Sequence, residues 1–310
     1  MKKPDTGIRS VCIVGAGAVG SSIAGIIAER DPGAVSLLAG ENRLRRYRAE
    51  GFLLNGIRRD FALATPAQAS EADLVIVAVK NQHLPQAIRD MSRHVGPRTL
   101  ILSLLNGISS EEDLAVAFGP EKVLYAMILG IDAVREGNAT RFSSTGKIHF
   151  GDAANIQGAW SERVMRIAAF FDHTGVAYVV PGNMVRSLWY KFMINVGINQ
   201  VSAIIRGTYR TFQTDPDAKA VMEAAMREVV TLSQAMKTGL QESDIAEWSA
   251  TLMGFGSENK TSMLQDVEAR RQTEVEAFAG TVIRLCRAAG ISAPVNTTLY
   301  SLIKAIESNY

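Results

Sequence analysis

The sequence predicts an α/β protein in two parts: a doubly wound, mostly parallel sheet over residues 1–181 and an all-α domain over residues 182–310. Three observations carry this. Short β-branched runs alternate with helix-like segments through the first half, which implies βαβ units. Gly15-Ala16-Gly17-Ala18-Val19-Gly20 follows the first of those runs and opens the first helix, the arrangement of a Rossmann-type domain. After Tyr178-Val179-Val180-Pro181-Gly182 the texture changes to long stretches of Ala, Met, Leu, Glu, Arg and Lys, with only Pro216 and Pro294 to interrupt them. The boundary therefore falls near Pro181-Gly182.

Taken in order, Ile8 to Val14 is a strand, Val19 to Glu29 a helix, Val35 to Ala39 a strand, and Glu41 to Glu50 a helix or its start. Asp73 to Val79 is apolar after its first residue without alternation, which suits a parallel strand covered on both faces, and Thr99 to Leu105 is similar. Between them Gln82 to His94 has a helical pattern. Ser109 to Phe118 has another, with Ser109 or Ser110 as N-cap and Asp113 close behind. In the second half the spacing predicts helices at about 184–204, 215–238, 242–255, 273–289 and 295–308. No internal repeat or low-complexity segment interrupts the pattern. Two domains of different class, with a cleft between them, are a natural place for a cofactor and a substrate to meet.

Composition narrows the function classes. The 310 residues carry 33 Lys+Arg against 31 Asp+Glu, a formal charge of +2, so no strong global field calls for nucleic acid or an anionic membrane as partner. Cys12 and Cys286 are the only cysteines, too few for a disulfide framework or a thiolate metal site, and fit a reducing, cytoplasmic setting. His83, His94, His149 and His173 have no paired spacing, so no metal is expected. Lys2 and Lys3 before the apolar stretch Val11 to Ala28 imitate a secretory signal. Gly15, Gly17, Gly20 and Gly25 interrupt that stretch, and Glu29-Arg30-Asp31 ends it where a cleavage site should lie. A strand, a tight turn and a helix explain the same residues better, and no other stretch approaches the length of a membrane span.

Each glycine of the turn has a physical task. Gly15 permits the sharp exit from the strand, Gly17 lets backbone amides approach a pyrophosphate, and Gly20 lets the helix pack closely on the sheet. The pyrophosphate then lies at the positive helix N-terminus. The end of the second strand selects the cofactor: an acid there holds a ribose 2′-hydroxyl, whereas basic residues accommodate a 2′-phosphate. Here the chain reads Ala39-Gly40-Glu41-Asn42-Arg43, then Arg45, Arg46 and Arg48. The arginines favour NADPH, with NADH the alternative; for any one of them a solvated helix face is an equal reading.

Lys191, Asn195 and Asn199 are spaced four apart, so on an α-helix they share one face, drifting about 40° per step. Leu188, Trp189, Phe192, Met193, Ile194, Val196 and Ile198 surround them. A helix so apolar is largely buried, and its polar stripe needs partners. One lysine alone reads as a snorkelling surface residue and one asparagine as a satisfied core amide; three in register point to a polar cleft.

Together, the glycine turn, Ala78-Val79-Lys80, Asn106-Gly107, the stripe from Leu188-Trp189-Tyr190-Lys191 to Asn199, and Ser262-Met263-Leu264-Gln265-Asp266 followed by Thr273-Glu274-Val275-Glu276 resemble the ketopantoate reductase (2-dehydropantoate 2-reductase) family, in its order and across most of the chain. The resemblance implies a Rossmann-type domain and a helical domain enclosing NADPH and a 2-oxo acid. It makes Lys191 the catalytic lysine, the acid that meets alkoxide character as hydride reaches C2. It makes Asn195 and Asn199 substrate-binding amides, Asn106 an amide between nicotinamide and substrate, Ser262 a contact to the substrate carboxylate with Asn259 assisting, and Glu274 a group that closes the site and accepts from a substrate hydroxyl or the cofactor. Lys80 faces the cofactor, Ala133 offers it a backbone contact, and Gly15, Ala16, Gly17, Ala18, Val19 and Gly20 hold its pyrophosphate.

The chain departs from the family in places. An arginine that often ends the second strand is replaced by Gly40-Glu41, leaving Arg43 as the nearest cation, and a further substrate asparagine falls near Tyr209, with Arg206 an added cation. His83 stands where glutamine is common and reads as an exposed helix-start residue. The expected activity is NADPH-dependent reduction of 2-dehydropantoate to (R)-pantoate, on the way to pantothenate and coenzyme A. The rivals are a paralogous reductase of another branched 2-oxo acid or related imino acid, kept alive by Tyr209 and Arg206, and a non-catalytic dinucleotide sensor. The partner is a small molecule; the protein is a monomer or homodimer.

Overall fold

The computed structural model describes residues 7–310, and the chain divides into two compact units, the first ending at Met184 and the second being Val185–Tyr310. The first begins β1 (Val11–Val14), α1 (Ala18–Arg30), β2 (Val35–Leu38), α2 (Glu41–Glu50), β3 (Phe52–Leu54), β4 (Ile57–Arg59), β5 (Ala62–Ala64) and β6 (Ala72–Val77). A 3-10 turn (Asn81–His83) leads into α3 (Leu84–Met91), β7 (Val95–Ser103), α4 (Ser110–Phe118), β8 (Val123–Ile131), β9 (Val134–Glu136), β10 (Ala139–Arg141), β11 (Thr145–Gly151), α5 (Glu162–Thr174) and β12 (Tyr178–Val179).

The main sheet runs β12-β11-β8-β7-β6-β1-β2-β5. Only the β8–β11 pair is antiparallel; the rest, including β1 between β2 and β6, are parallel. The fold class expected from the sequence is therefore the one observed. Unbroken apolar strands are explained by cover on both faces. Val11 and Ile13 point into one core with Ile23 and Ile27 of α1 and Phe171 of α5. Cys12 and Val14 point into the other with Leu84 and Met91 of α3 and Leu114 of α4.

Two details differ from expectation. Ser109 takes the N-cap position of α4, but its side chain makes no cap bond; the Ser110 hydroxyl is used inside instead, 2.7 Å from Ser103 Oγ. A second sheet, in the order β4-β3-β10-β9, was not foreseen. Its strands are three residues long, too short for a period-2 pattern to stand out.

The second unit is helical: α6 (Met184–Ile194), a π-turn (Asn195–Asn199), α7 (Gln200–Ile205), α8 (Tyr209–Thr214), α9 (Pro216–Ala235), α10 (Glu242–Leu252), α11 (Ser262–Glu268), a second π-turn (Glu276–Gly280), α12 (Thr281–Ala288) and α13 (Pro294–Glu307). Asp215 caps α9 by accepting from the amides of Asp217 and Ala218, with Pro216 at the first helical position, the pairing that best starts a helix. The single α-helix expected over 184–204 is interrupted by the first π-turn. Close packing accompanies the change: a Cβ on Gly197 would lie 2.5 Å from Met226 Cε and 3.1 Å from the Met222 carbonyl on α9. Only glycine permits α9 to come so near.

Candidate active site

In the first unit the glycine turn is closed on itself. Gly15 has φ +103°, and a Cβ there would lie 2.7 Å from the carbonyl of Ala78, just beyond β6. A Cβ on Gly20 would lie 1.9 Å from the Gly15 carbonyl, so α1 starts against the turn itself. Gly17 is the N-cap of α1, with no side-chain cap and no acidic residue in the first turn. The unsatisfied amides of that turn meet no competing carboxylate there, which fits an anionic pyrophosphate. Ala16 is buried, and Ala18 and Val19 are half-buried.

Beside the turn, Gly15, Gly40, Glu41, Arg43, Val79 and His83 help line a cleft of about 370 Å³. The arginine cluster sorts itself there. Arg48 pairs with Glu41 at 3.2 Å, Arg45 donates to Asn42 Oδ1 at 2.6 Å, and Arg46 lies 5.7 Å from the Tyr47 ring centroid. Arg43 is the arginine lining the cleft. His83 is exposed, as expected, yet it also faces the cleft; partial burial, then Arg43 and Lys80, lower its pKa. Lys80 precedes the 3-10 turn as its N-cap residue. The Asn81 side chain donates to the Asn106 carbonyl at 2.8 Å, fastening the loop that carries Asn106 to the loop that carries Lys80. Ala133 sits between β8 and β9.

In the second unit Lys191 lies near the end of α6, and Asn195 and Asn199 open and close the π-turn. Lys191 and Asn195 are half-buried, whereas Asn199 is only 6% exposed. The wider π-turn replaces the α-helical drift, and Asn199 Nδ2 donates to Asn195 Oδ1 at 3.5 Å. Asn195 Nδ2 is buried without a hydrogen-bond partner. A buried amide donor left unpaired costs stability, so this atom is an outstanding claim on an acceptor.

Helix α11 packs against α7 and the first π-turn. Thr261 caps it by accepting from the Leu264 amide, and its hydroxyl meets Ser202 of α7 at 2.5 Å. Ser262, exposed at the first position of α11, is thereby held near the stripe, and exposed Asn259 precedes it on the loop. The Asn259 carbonyl accepts from the Tyr209 amide at 3.0 Å. Tyr209 meets Phe255 edge-on at 5.5 Å. Half-buried Glu274 begins the segment that enters the second π-turn, and the two π-turns pack on each other. Such turns recur at functional sites.

Family models match both halves: ketopantoate reductase PanE/ApbA over residues 11–155 and ketopantoate reductase PanE/ApbA C terminal over residues 183–307. The chain belongs to the ketopantoate reductase family. It is thus an oxidoreductase by family. It is 29% identical over 301 residues to the 2-dehydropantoate 2-reductase of Halobacterium salinarum, covering 95% of this chain and 97% of that one. A ketopantoate reductase structure from Ralstonia eutropha JMP134 superposes with TM-score 0.83 at 25% identity, covering 97% and 99% of the two chains. D-mandelate dehydrogenase, solved with NADH and anilino(oxo)acetate, has the same fold, with TM-score 0.85 at 19% identity over 97% and 98%.

Some residues of this ketopantoate reductase family member escape a sequence reading. Gln200, fully buried, donates to the Val196 carbonyl at 2.7 Å and to Asn296 Oδ1 at 3.1 Å, bracing the π-turn from behind. A polar pair at the end of an apolar stripe is a faint signal for such a brace. No cluster of His, Cys, Asp or Glu among the described residues could hold a metal ion, and no helix among them is long and apolar enough to cross a membrane.

Proposed function

We propose that the protein reduces 2-dehydropantoate to (R)-pantoate with NADPH, for pantothenate and coenzyme A synthesis. The observation that carries this reading is the stripe: Lys191, one helical turn from an asparagine whose buried amide nitrogen lacks a partner. The cofactor, when bound, supplies a hydride to C2 of the 2-oxo acid. Lys191 gives its proton to the C2 oxygen as negative charge develops there, so the carbonyl becomes a hydroxyl. Asn195 and Asn199 hold the substrate's oxygens without adding charge, Ser262 and Asn259 bind its carboxylate, and Glu274 accepts from its hydroxyl. Asn106 orients substrate against nicotinamide. The amides from Gly15 to Gly20 receive the pyrophosphate, and Ala133 adds a backbone contact. Lys80 and Arg43 meet the 2′-phosphate, with Glu41 already occupied by Arg48.

The decisive experiment follows NADPH oxidation by purified protein with 2-dehydropantoate and with a panel of other branched and aromatic 2-oxo acids. Preferred turnover of 2-dehydropantoate supports the reading. A second reading, reduction of a different 2-oxo acid, is favoured by one feature: the Tyr209 ring seated on Phe255 where a small amide is common in the family. Turnover of another member of the panel, with none of 2-dehydropantoate, selects it.

A further inference from the structure

Arg135, on β9, ties the second sheet to the glycine turn. Its Nη1 donates to the Ala16 carbonyl, and its Nε donates to the Gly137 carbonyl at 3.0 Å. Its guanidinium lies 5.0 Å from the Phe52 ring centroid and 5.7 Å from that of Tyr47, so cation–π attraction holds the fork in one orientation. Thr140, on β10 and fully buried, makes the second tie. Ser21 Oγ donates to the Gly17 carbonyl at 2.7 Å and lies 2.9 Å from Thr140 Oγ1. With the serine proton given to Gly17, Thr140 is the donor of that pair.

The consequence follows from peptide planarity. In a trans peptide the carbonyl of one residue and the amide N–H of the next point in opposite directions. Pinning the Ala16 carbonyl therefore aims the Gly17 N–H away from Arg135. Pinning the Gly17 carbonyl aims the Ala18 N–H in the same way. These are the amides at the start of α1, where an anion would bind. Arg135 also neutralises part of a carbonyl dipole that would otherwise repel a pyrophosphate.

We propose that Arg135 is a positioning residue for the dinucleotide, orienting the Gly17 amide through the Ala16 carbonyl, while Thr140 supports the neighbouring Ala18 amide through Ser21 and the Gly17 carbonyl. The proposal rests on reading the glycine turn as the pyrophosphate site. The test is titration of NADPH and of NADH into wild type, Arg135→Met, Arg135→Lys and Thr140→Val, followed by intrinsic and cofactor fluorescence, with melting temperatures and steady-state kinetics alongside. Arg135→Met should weaken both dinucleotides about tenfold or more, the scale of a lost charge-assisted hydrogen bond, and Thr140→Val less. Cofactor KM should rise with Kd while kcat and the KM of the 2-oxo acid move far less. Lys keeps the charge but not the fork, so Arg135→Lys should recover only part of the loss. Wild-type affinity in folded Arg135→Met, or full recovery with Lys, overturns the proposal while leaving the pyrophosphate site in place. Wild type that binds neither dinucleotide removes that site and the proposal with it.

Discussion

Gln200 Nε2 donates to the Val196 carbonyl at 2.7 Å, across the turn that carries Asn195 and Asn199. The same nitrogen reaches Asn296 Oδ1, whose own amide donates to Glu228 Oε2 at 2.7 Å and to the Ala225 carbonyl at 3.2 Å. Glu228 also accepts from the amides of Val295 and Asn296. The candidate substrate asparagines thus stand on a turn locked to α9 and α13 by a buried polar chain. Gln200→Leu keeps volume but removes two buried hydrogen bonds. It should lower stability by about 1–3 kcal/mol, read by urea denaturation, and lower kcat more than it weakens NADPH binding. Unchanged kcat in the folded variant would separate the brace from catalysis.

Lys191 is the proton donor of the proposed reaction. Lys191→Met should lower kcat by about 10²–10⁴-fold, the usual range for a lost general acid, while the dissociation constant for NADPH changes by much less. Stopped-flow measurement of hydride transfer together with a binding titration checks this. A variant with wild-type turnover would take Lys191 out of the chemistry.

The stripe was legible because its signal is local: residues four apart in an apolar helix need nothing distant to be seen. The parallel sheet was legible for a similar reason, since a run such as Leu74 to Val77 is unbroken only when both faces are covered. The π-turns were not, because a period of 3.6 is assumed in any search for helical spacing, and the wider turn accompanies α9 pressing on Gly197 from far along the chain. Helices α8 and α11 are six and seven residues long, less than two full periods, so no face can be read from them. The role of Arg135 lies in contacts to Ala16, Tyr47 and Phe52, all distant in sequence, and its own neighbours Val134 and Glu136 carry no hint of it.

Gly197 offers a direct test of that packing. A methyl group there meets Met226 Cε and Cγ at 2.5 and 2.6 Å and the backbone of Met222 at 3.1 Å. Gly197→Ala should therefore destabilise by about 1–3 kcal/mol, as overpacking does. Met226→Ala makes room for most of the methyl group, so the double variant should lose less stability than the sum of the two singles. Thermal unfolding of the four proteins of the cycle measures the coupling; strict additivity would mean that α9 does not set the turn.

His83 supplies a pH dependence with a definite sign. Desolvation lowers its pKa first, and Arg43 and Lys80 lower it further; Gln86 and Asp90 line the same cleft. The free protein therefore holds His83 neutral at pH 7. A 2′-phosphate placed between Arg43 and Lys80 adds negative charge, which favours the imidazolium and raises the pKa in the complex. Binding then draws a proton to His83, against which the 2′-phosphate, whose second pKa is about 6, gives up part of one on meeting Arg43 and Lys80. Relative to His83→Gln, wild-type NADPH affinity should strengthen as pH falls through the raised value of the complex and level off below the lowered value of the free protein, whereas NADH affinity should show far less difference between the two proteins. Calorimetric titrations in buffers of different ionisation enthalpy count the protons directly. His83→Gln should shift the NADPH count toward proton release and leave the NADH count nearly unchanged, and an NADPH count unaltered by the substitution would place the 2′-phosphate elsewhere.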